Sequence, residues 1–348
     1  MNNRLRIDPL PCVASDVSKD NVTRFQVASL WRARWQVLNS LVPYALLWFA
    51  MDRAVAVSYW LMLPIAILAA GFLVRIFIIF HDCGHGSFFK SKRANNATGA
   101  IAGLLLLTPY RYWRWQHALH HGTAGDLDRR GSGDIWTLTV QEYLQSTRWR
   151  RFAYRLARSP VVLFVIAPLY VFAVHQRFAA STAPQRERRS VHQMNWALLA
   201  VTLVMSAAIG LRTFLLIQLT VSAFAGAFGL WLFYVQHQFE GAYWARSKDW
   251  DYTAAALQGS SFYKLPRILQ WFTGNIGFHH IHHLSPRIPN YHLQRCHEAD
   301  PFFETIKPLT LFSSFVCLTH RLWDEQRKAF VSFRHLGMLG LAGVSRGK

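Results

Sequence analysis

"VAVSYWLMLPIAILAAGFLVRIFIIFHDCGH", residues 55–85, joins two signals that seldom occur together. Residues 55–80 are apolar apart from Arg75, long enough for the roughly 20 residues a helix needs to cross a bilayer. The next five residues are HDCGH, with His81 and His85 four apart. On a helix that spacing puts both imidazoles on one face, one turn apart. A helix from Val57 to His85 would run about 43 Å at 1.5 Å per residue, against about 30 Å of hydrocarbon. The stretch therefore predicts a membrane span whose last turns project beyond the bilayer and carry histidines.

The rest of the chain fits a membrane protein. It has 348 residues, 52% hydrophobic and only 16% charged. Three further spans are expected at 37–51, 194–210 and 213–235, with a tight turn at Gly210–Arg212. The segments 97–109 and 160–174 are too short or, at Pro168, interrupted. Basic residues flank 160–174 on both sides, Arg148 to Arg158 before it and Arg177 to Arg189 after it. Lys and Arg collect in cytoplasmic loops, so this segment should lie in the interface or re-enter. The expected fold class is an all-α integral membrane protein of about four transmembrane helices with a cytoplasmic helical cap; six spans is the alternative. Residues 1–36 read as a cytoplasmic N-terminal segment without the apolar region of a cleavable signal. Residues 37–335 read as the membrane domain and 336–348 as a flexible tail.

The net charge of +20 favours anionic lipid or an acidic protein over nucleic acid, given the apolar spans. The cysteines Cys12, Cys83, Cys296 and Cys317 form no CxxC pair, which excludes zinc-ribbon and iron–sulfur signatures.

The sixteen histidines are unevenly placed. Beside HDCGH stand HALHH (His117, His120, His121) and HHIHH (His279, His280, His282, His283), with His237 alone in YVQHQF. Within each HxxHH the three histidines fall in an arc of about 100° on a helix. His280 lies outside that arc and is expected to pack or to support a ligand. Neutral imidazole is the commonest metal-binding side chain. More donors than the four of a closed structural zinc site point to two metals. The lone His175, His192, His292, His297, His320 and His335 read as surface or hydrogen-bonded residues. Trp60, Trp113, Trp115, Trp244 and Trp271 read as an interfacial belt.

Taken together, HDCGH, HALHH and HHIHH resemble the three histidine boxes of the membrane fatty acid desaturases. The stretches RIFIIFHDCGHGSFFK, RRGSGDIWTLTVQEY, WLFYVQHQFE and GSSFYKLPRILQWFTGNIGFHHIHHLSPRIPNYHL are similar to the bacterial acyl-lipid desaturases, the Δ5 type in particular. The resemblance implies a di-iron centre on the cytoplasmic cap. It activates O2 and places a cis double bond in an acyl chain of membrane phospholipid, in a bacterial cytoplasmic membrane. Carried over, the iron ligands are His81, His85, His117, His120, His121, His237, His279, His282 and His283.

In the animal stearoyl-CoA branch an Asn four residues before the isolated His reaches one iron through water. Here that position is Phe233, and Asn275, four before His279, is a candidate for a comparable part. Asp82, Asp134 and Glu240 are candidates to accept the second N–H of ligating imidazoles. The chain shows no haem module, cysteine set or GxGxxG; the nearest glycines, Gly131 and Gly133, fail that pattern. Electrons are expected from an external donor, an acidic ferredoxin or flavodoxin. Three alternatives weigh less. A lipid or carotenoid hydroxylase or ketolase would share the irons. A histidine-rich metal transporter needs ionisable residues along its spans. A bis-histidine haem protein needs facing histidines in mid-membrane.

Overall fold

In a computed structural model of the protein, described for residues 17–131 and 133–336, the chain is built around four long helices. After a short α1 (Lys19–Thr23) come α2 (Leu30–Val57) and α3 (Tyr59–His85), separated by Ser58 alone. Then follow α4 (Lys92–Leu105), α5 (Tyr110–Thr123), α6 (Val140–Gln145), α7 (Arg148–Ala157) and α8 (Ala167–Ala173). The second long pair is α9 (Gln185–Ile209) and α10 (Leu211–His237). The cap continues through α11 (Tyr252–Leu257), α12 (Arg267–Phe272), α13 (His279–Leu284), α14 (Asn290–His297) and α15 (Pro301–Glu304). Cys12 and all but the first residue of the expected tail 336–348 lie outside the described residues.

Among the described residues, α2, α3, α9 and α10 are long and apolar enough to cross a membrane. They cover the expected spans 37–51 and 213–235 in full, 57–80 from Tyr59 onward and 194–210 as far as Ile209, with flanking helix beyond them. At 27 residues, α3 runs about 40 Å, so the expected overshoot is present. The Gly210 turn is a single residue at φ +87°, a left-handed conformation open to glycine at no cost. Helix α9 is almost unburied, with Trp196, Leu203 and Val204 all more than 60% exposed. In water that face would be unstable; in lipid it is the ordinary outer surface of a bundle. Helix α3 is instead enclosed by α2, α4 and α10.

The two short apolar segments do not form straight spans. Helix α4 lies against α3. The 160–174 segment is a π-helical turn, Val162–Ile166, followed by α8, and it bends by 62° from α7. Pro168 packs where Gly226 of α10 has no Cβ: one built there would lie 2.5 Å from the Pro168 Cβ.

Two small sheets depart from the all-α expectation. Strands β1 (Tyr263–Lys264) and β2 (Leu309–Thr310) pair in parallel. Strands β3 (Leu322–Asp324) and β4 (Ala329–Val331) pair antiparallel. Segments of two or three residues are too short to carry a period-two pattern. The belt of tryptophans is also partly different. Trp60 is exposed and Trp271 is partly exposed, but Trp244 is buried against Phe330. Trp113 turns inward onto the histidines and Trp115 stacks on Tyr112. Arg75, the one charge in its span, places its guanidinium 3.9 Å from the Trp271 ring centroid and donates to the Trp271 carbonyl.

Candidate metal centre

Four elements bring the histidines to one place. The end of α3 supplies His81 and His85 and stops at Gly86, φ +73°, as a left-handed cap. Helix α5 supplies His117, His120 and His121, the end of α10 supplies His237, and α13 supplies His279, His282 and His283. The chain enters α13 through Gly277, where a Cβ would lie 2.3 Å from the Tyr263 carbonyl oxygen. No other residue fits that crossing without backbone movement.

These nine imidazoles form two groups. His81, His85, His117, His121 and His282 have ligating nitrogens within 4.8 Å of one another, and so do His120, His237 and His283. His279 joins the second group, its Nε2 3.0 Å from that of His237. Each HxxHH is divided between the groups. Helix α5 gives His117 and His121 to the first and His120 to the second; α13 gives His282 to the first and His279 and His283 to the second. The groups abut, with the His121 and His283 rings stacked at 4.2 Å.

The hydrogen-bond pattern fits cations. His120 Nδ1 lies 2.8 Å from Asp134 Oδ1, and His237 Nδ1 lies 3.2 Å from the Gly259 carbonyl oxygen. Both acceptors hold the proton on Nδ1, which leaves each Nε2 as a bare lone pair. Yet those two Nε2 atoms are 3.2 Å apart. Two lone pairs repel at that distance unless a positive ion lies between them. In the first group His121 Nε2 is 3.1 Å from His117 Nε2 and 3.0 Å from His282 Nε2. Adjacent nitrogens about 2.1 Å from one ion at right angles would be about 3.0 Å apart. The buried His85 and His283 Nε2 atoms have no hydrogen-bond partner.

Burial, reinforced by neighbouring imidazoles, pushes His117, His121, His279, His282 and His283 well below the ordinary histidine value. They are held neutral, the form that binds a metal. Each group could hold a metal ion.

The carboxylate candidates divide. Asp82 Oδ1 meets His81 Nδ1 at 3.0 Å, while its Oδ2 accepts from the Asn290 backbone N at 2.6 Å and Nδ2 at 2.8 Å. Asp134 orients His120 and also accepts from Gly131 N. Glu240 is exposed and orients none of the nine, because the chain leaves α10 at Gln238. Asn275 is not in the centre either. It sits at φ +62°, accepts from Gln270, and donates to the Asn290 carbonyl, so it acts behind Asn290 and Asp82. His280 faces away from the two groups: its Nε2 is 3.3 Å from His297 Nδ1 and its ring packs near Phe262 and Phe303.

The roles of four contributors escaped the sequence reading. Trp113 stacks on His117 with ring centroids 4.4 Å apart; the WRWQH spacing, i to i+4, was the available signal. Asn290 and Gly259 lie far along the chain from the side chains they hold, and nothing local marks them. Phe233 covers the second group, 5.3 Å from both His120 and His237.

The fatty acid desaturase family model matches residues 58–309. The chain is similar to a fatty acid desaturase of Bacillus subtilis, 48% identical over 299 residues, covering 86% of this chain and 85% of the relative. A protein of Synechocystis named as a sn-1 acyl-lipid omega-3 desaturase (ferredoxin) is 29% identical over 266 residues, covering 72% and 68%. A chloroplastic omega-3 fatty acid desaturase of Brassica napus is 28% identical over 281 residues, covering 76% and 67%. A family match over more than half the chain, together with a relative nearly half identical along most of its length, places this protein: it belongs to the fatty acid desaturases and is a membrane oxidoreductase.

Proposed function

We propose that the two histidine groups hold two iron ions and that the protein places a cis double bond in acyl chains of membrane phospholipid. The observation that carries this is the division of nine imidazoles into two abutting groups with facing Nε2 atoms. Imidazole suits iron, and two adjacent ions suit O2 chemistry. The named relatives include an acyl-lipid desaturase.

When bound, the irons supply O2 activation, which an unactivated methylene requires because no general base can remove its hydrogens. The residues of this chain do the rest. Asp134 and the Gly259 carbonyl fix the tautomers of His120 and His237. Asp82 fixes His81 and is itself held by Asn290. Trp113 and Phe77 wall the first group, with Phe80 packed behind Trp113, and Phe233 covers the second. These apolar rings exclude water from the reacting methylenes. Electrons come from a separate acidic carrier, a ferredoxin or flavodoxin, as the name of the Synechocystis relative suggests. The histidines face the cytoplasm of a bacterial membrane.

Expression in a host with saturated lipids tests the proposal. The expected result is new cis-monounsaturated chains on phospholipids, dependent on O2 and iron, located by mass spectrometry. Chains that carry only hydroxyl groups would overturn it.

A further inference from the structure

An open groove lies away from the histidines, between the segment before α2 and the outer face of α14. Its volume is about 720 Å³, and its walls include Arg24, Phe25, Ser29, His292, Arg295 and Glu298. That volume lies within the range of small-ligand sites.

The groove is cationic on one side and apolar on the other. Among the described residues neither Arg24 nor Arg295 has a carboxylate partner; Arg24 lies 4.9 Å over the Phe25 ring. The one acid, Glu298, already accepts from Gln294 at 2.8 Å. Burial and the neighbouring Arg32 and Arg295 push His292 below its ordinary value, so a positive field acts across the groove. Phe25, Val27 and Ala28 provide the apolar wall.

Its level is set by the membrane. Trp31 and Trp35, one turn apart at the start of α2, stack in parallel and are 75% and 53% exposed. Exposed tryptophans at a span end mark the headgroup region, so the groove opens at the height of lipid phosphates. It is also tied to the histidines. Gln26 donates to Ser285, two residues after His283, and Ser29 N donates to the Tyr291 hydroxyl. Asn290, at the start of the same α14, holds Asp82 and through it His81.

We propose that this groove binds the anionic phosphodiester of a phospholipid headgroup and so anchors the lipid whose chain is desaturated. Arg24 and Arg295 supply charge-assisted hydrogen bonds to the phosphate oxygens. Phe25 and Val27 meet the glycerol and first methylenes. The proposal rests on the acyl-lipid reading and names the part of the substrate that this chain recognises.

The test is binding without turnover, using the full-length, iron-loaded protein in neutral detergent. The probes are dioctanoyl-phosphatidylglycerol, dioctanoylglycerol, inorganic phosphate and octanoyl-CoA, read by native mass spectrometry or calorimetry. The wild-type protein should prefer dioctanoyl-phosphatidylglycerol to dioctanoylglycerol. Arg24→Gln/Arg295→Gln should weaken it by about tenfold or more, from the loss of two charged contacts, with iron content and melting temperature unchanged. Arg24→Lys/Arg295→Lys should restore most of the affinity. Equal affinity in the Gln pair overturns the proposal. So does displacement of the lipid by inorganic phosphate at equal concentration, or tight octanoyl-CoA binding that the lipid does not displace. A protein that desaturates phospholipid yet binds it equally in the Gln pair keeps its function and loses only the groove.

Discussion

Asp134→Ala isolates the second histidine group. Its carboxylate accepts from His120 Nδ1 at 2.8 Å, with the two side chains only 8% and 3% exposed. Removing it leaves a buried N–H without a partner, at about 1–3 kcal/mol. It also frees the ring to rotate and lowers the basicity of Nε2. Loss of such a supporting carboxylate weakens metal binding by about 10–100-fold, or about 1.4–2.7 kcal/mol. His120 belongs to the group with His237, His279 and His283, so the loss should fall on one ion. Iron per protein, measured by elemental mass spectrometry after graded chelation, should fall from two to one in the variant before the wild type loses any. Desaturation should fall with the first ion. Asp134→Asn keeps an acceptor oxygen and should lie between. If the Ala variant keeps both ions at wild-type affinity, His120 is not held for a metal by Asp134, and the tautomer argument fails.

His120→Ala should abolish activity and remove iron, while the exposed His192→Ala should do neither; activity and iron content decide it. His282→Ala should lower bound iron, whereas His280→Ala should keep both ions, since His280 meets His297 and not the centre. The fully buried His280 should still matter to packing, with a stability loss of about 1–3 kcal/mol read from the melting temperature. Gly277→Ala puts a methyl 2.3 Å from the Tyr263 carbonyl oxygen. It should displace α13 and lower stability and iron content together, with a loss of more than about 2 kcal/mol.

Much of this was legible in the sequence for definite reasons. Spans and the histidines at their ends are periodic, local signals, and α3 carries both in one stretch. The same arithmetic selects His117, His120 and His121 as one arc, and His279, His282 and His283 as another. It does not say that each arc is split. In α5 the pair four apart goes to one group and the residue between them to the other; only the approach of α3 and α10 from different sides decides that. Asp82 and Asp134 were legible because each is near its histidine in sequence. Glu240 looked equally near, but the helix ends at His237 and turns it outward. Asn290 and Gly259 were illegible because their partners are 208 and 22 residues away.

The length of α3 fixes where the chemistry takes place. Tyr59 and the 77% exposed Trp60 set its outer end at an interface. About 30 Å of hydrocarbon then takes about 20 residues, to the neighbourhood of Ile79. His81 and His85 lie about 3 and 9 Å further on, outside the hydrocarbon. An acyl methylene must therefore leave the bilayer to reach them, and in water that exposure is unfavourable by about 0.8 kcal/mol per methylene. The cap has to replace the lipid around the chain. This accounts for the aromatic walls of Phe77, Trp113 and Phe233 in a region otherwise rich in imidazole. If the headgroup stays at Arg24 and Arg295, the position of the double bond is set by the path length from that groove to the histidines, and a change in the wall residues alone cannot move it far.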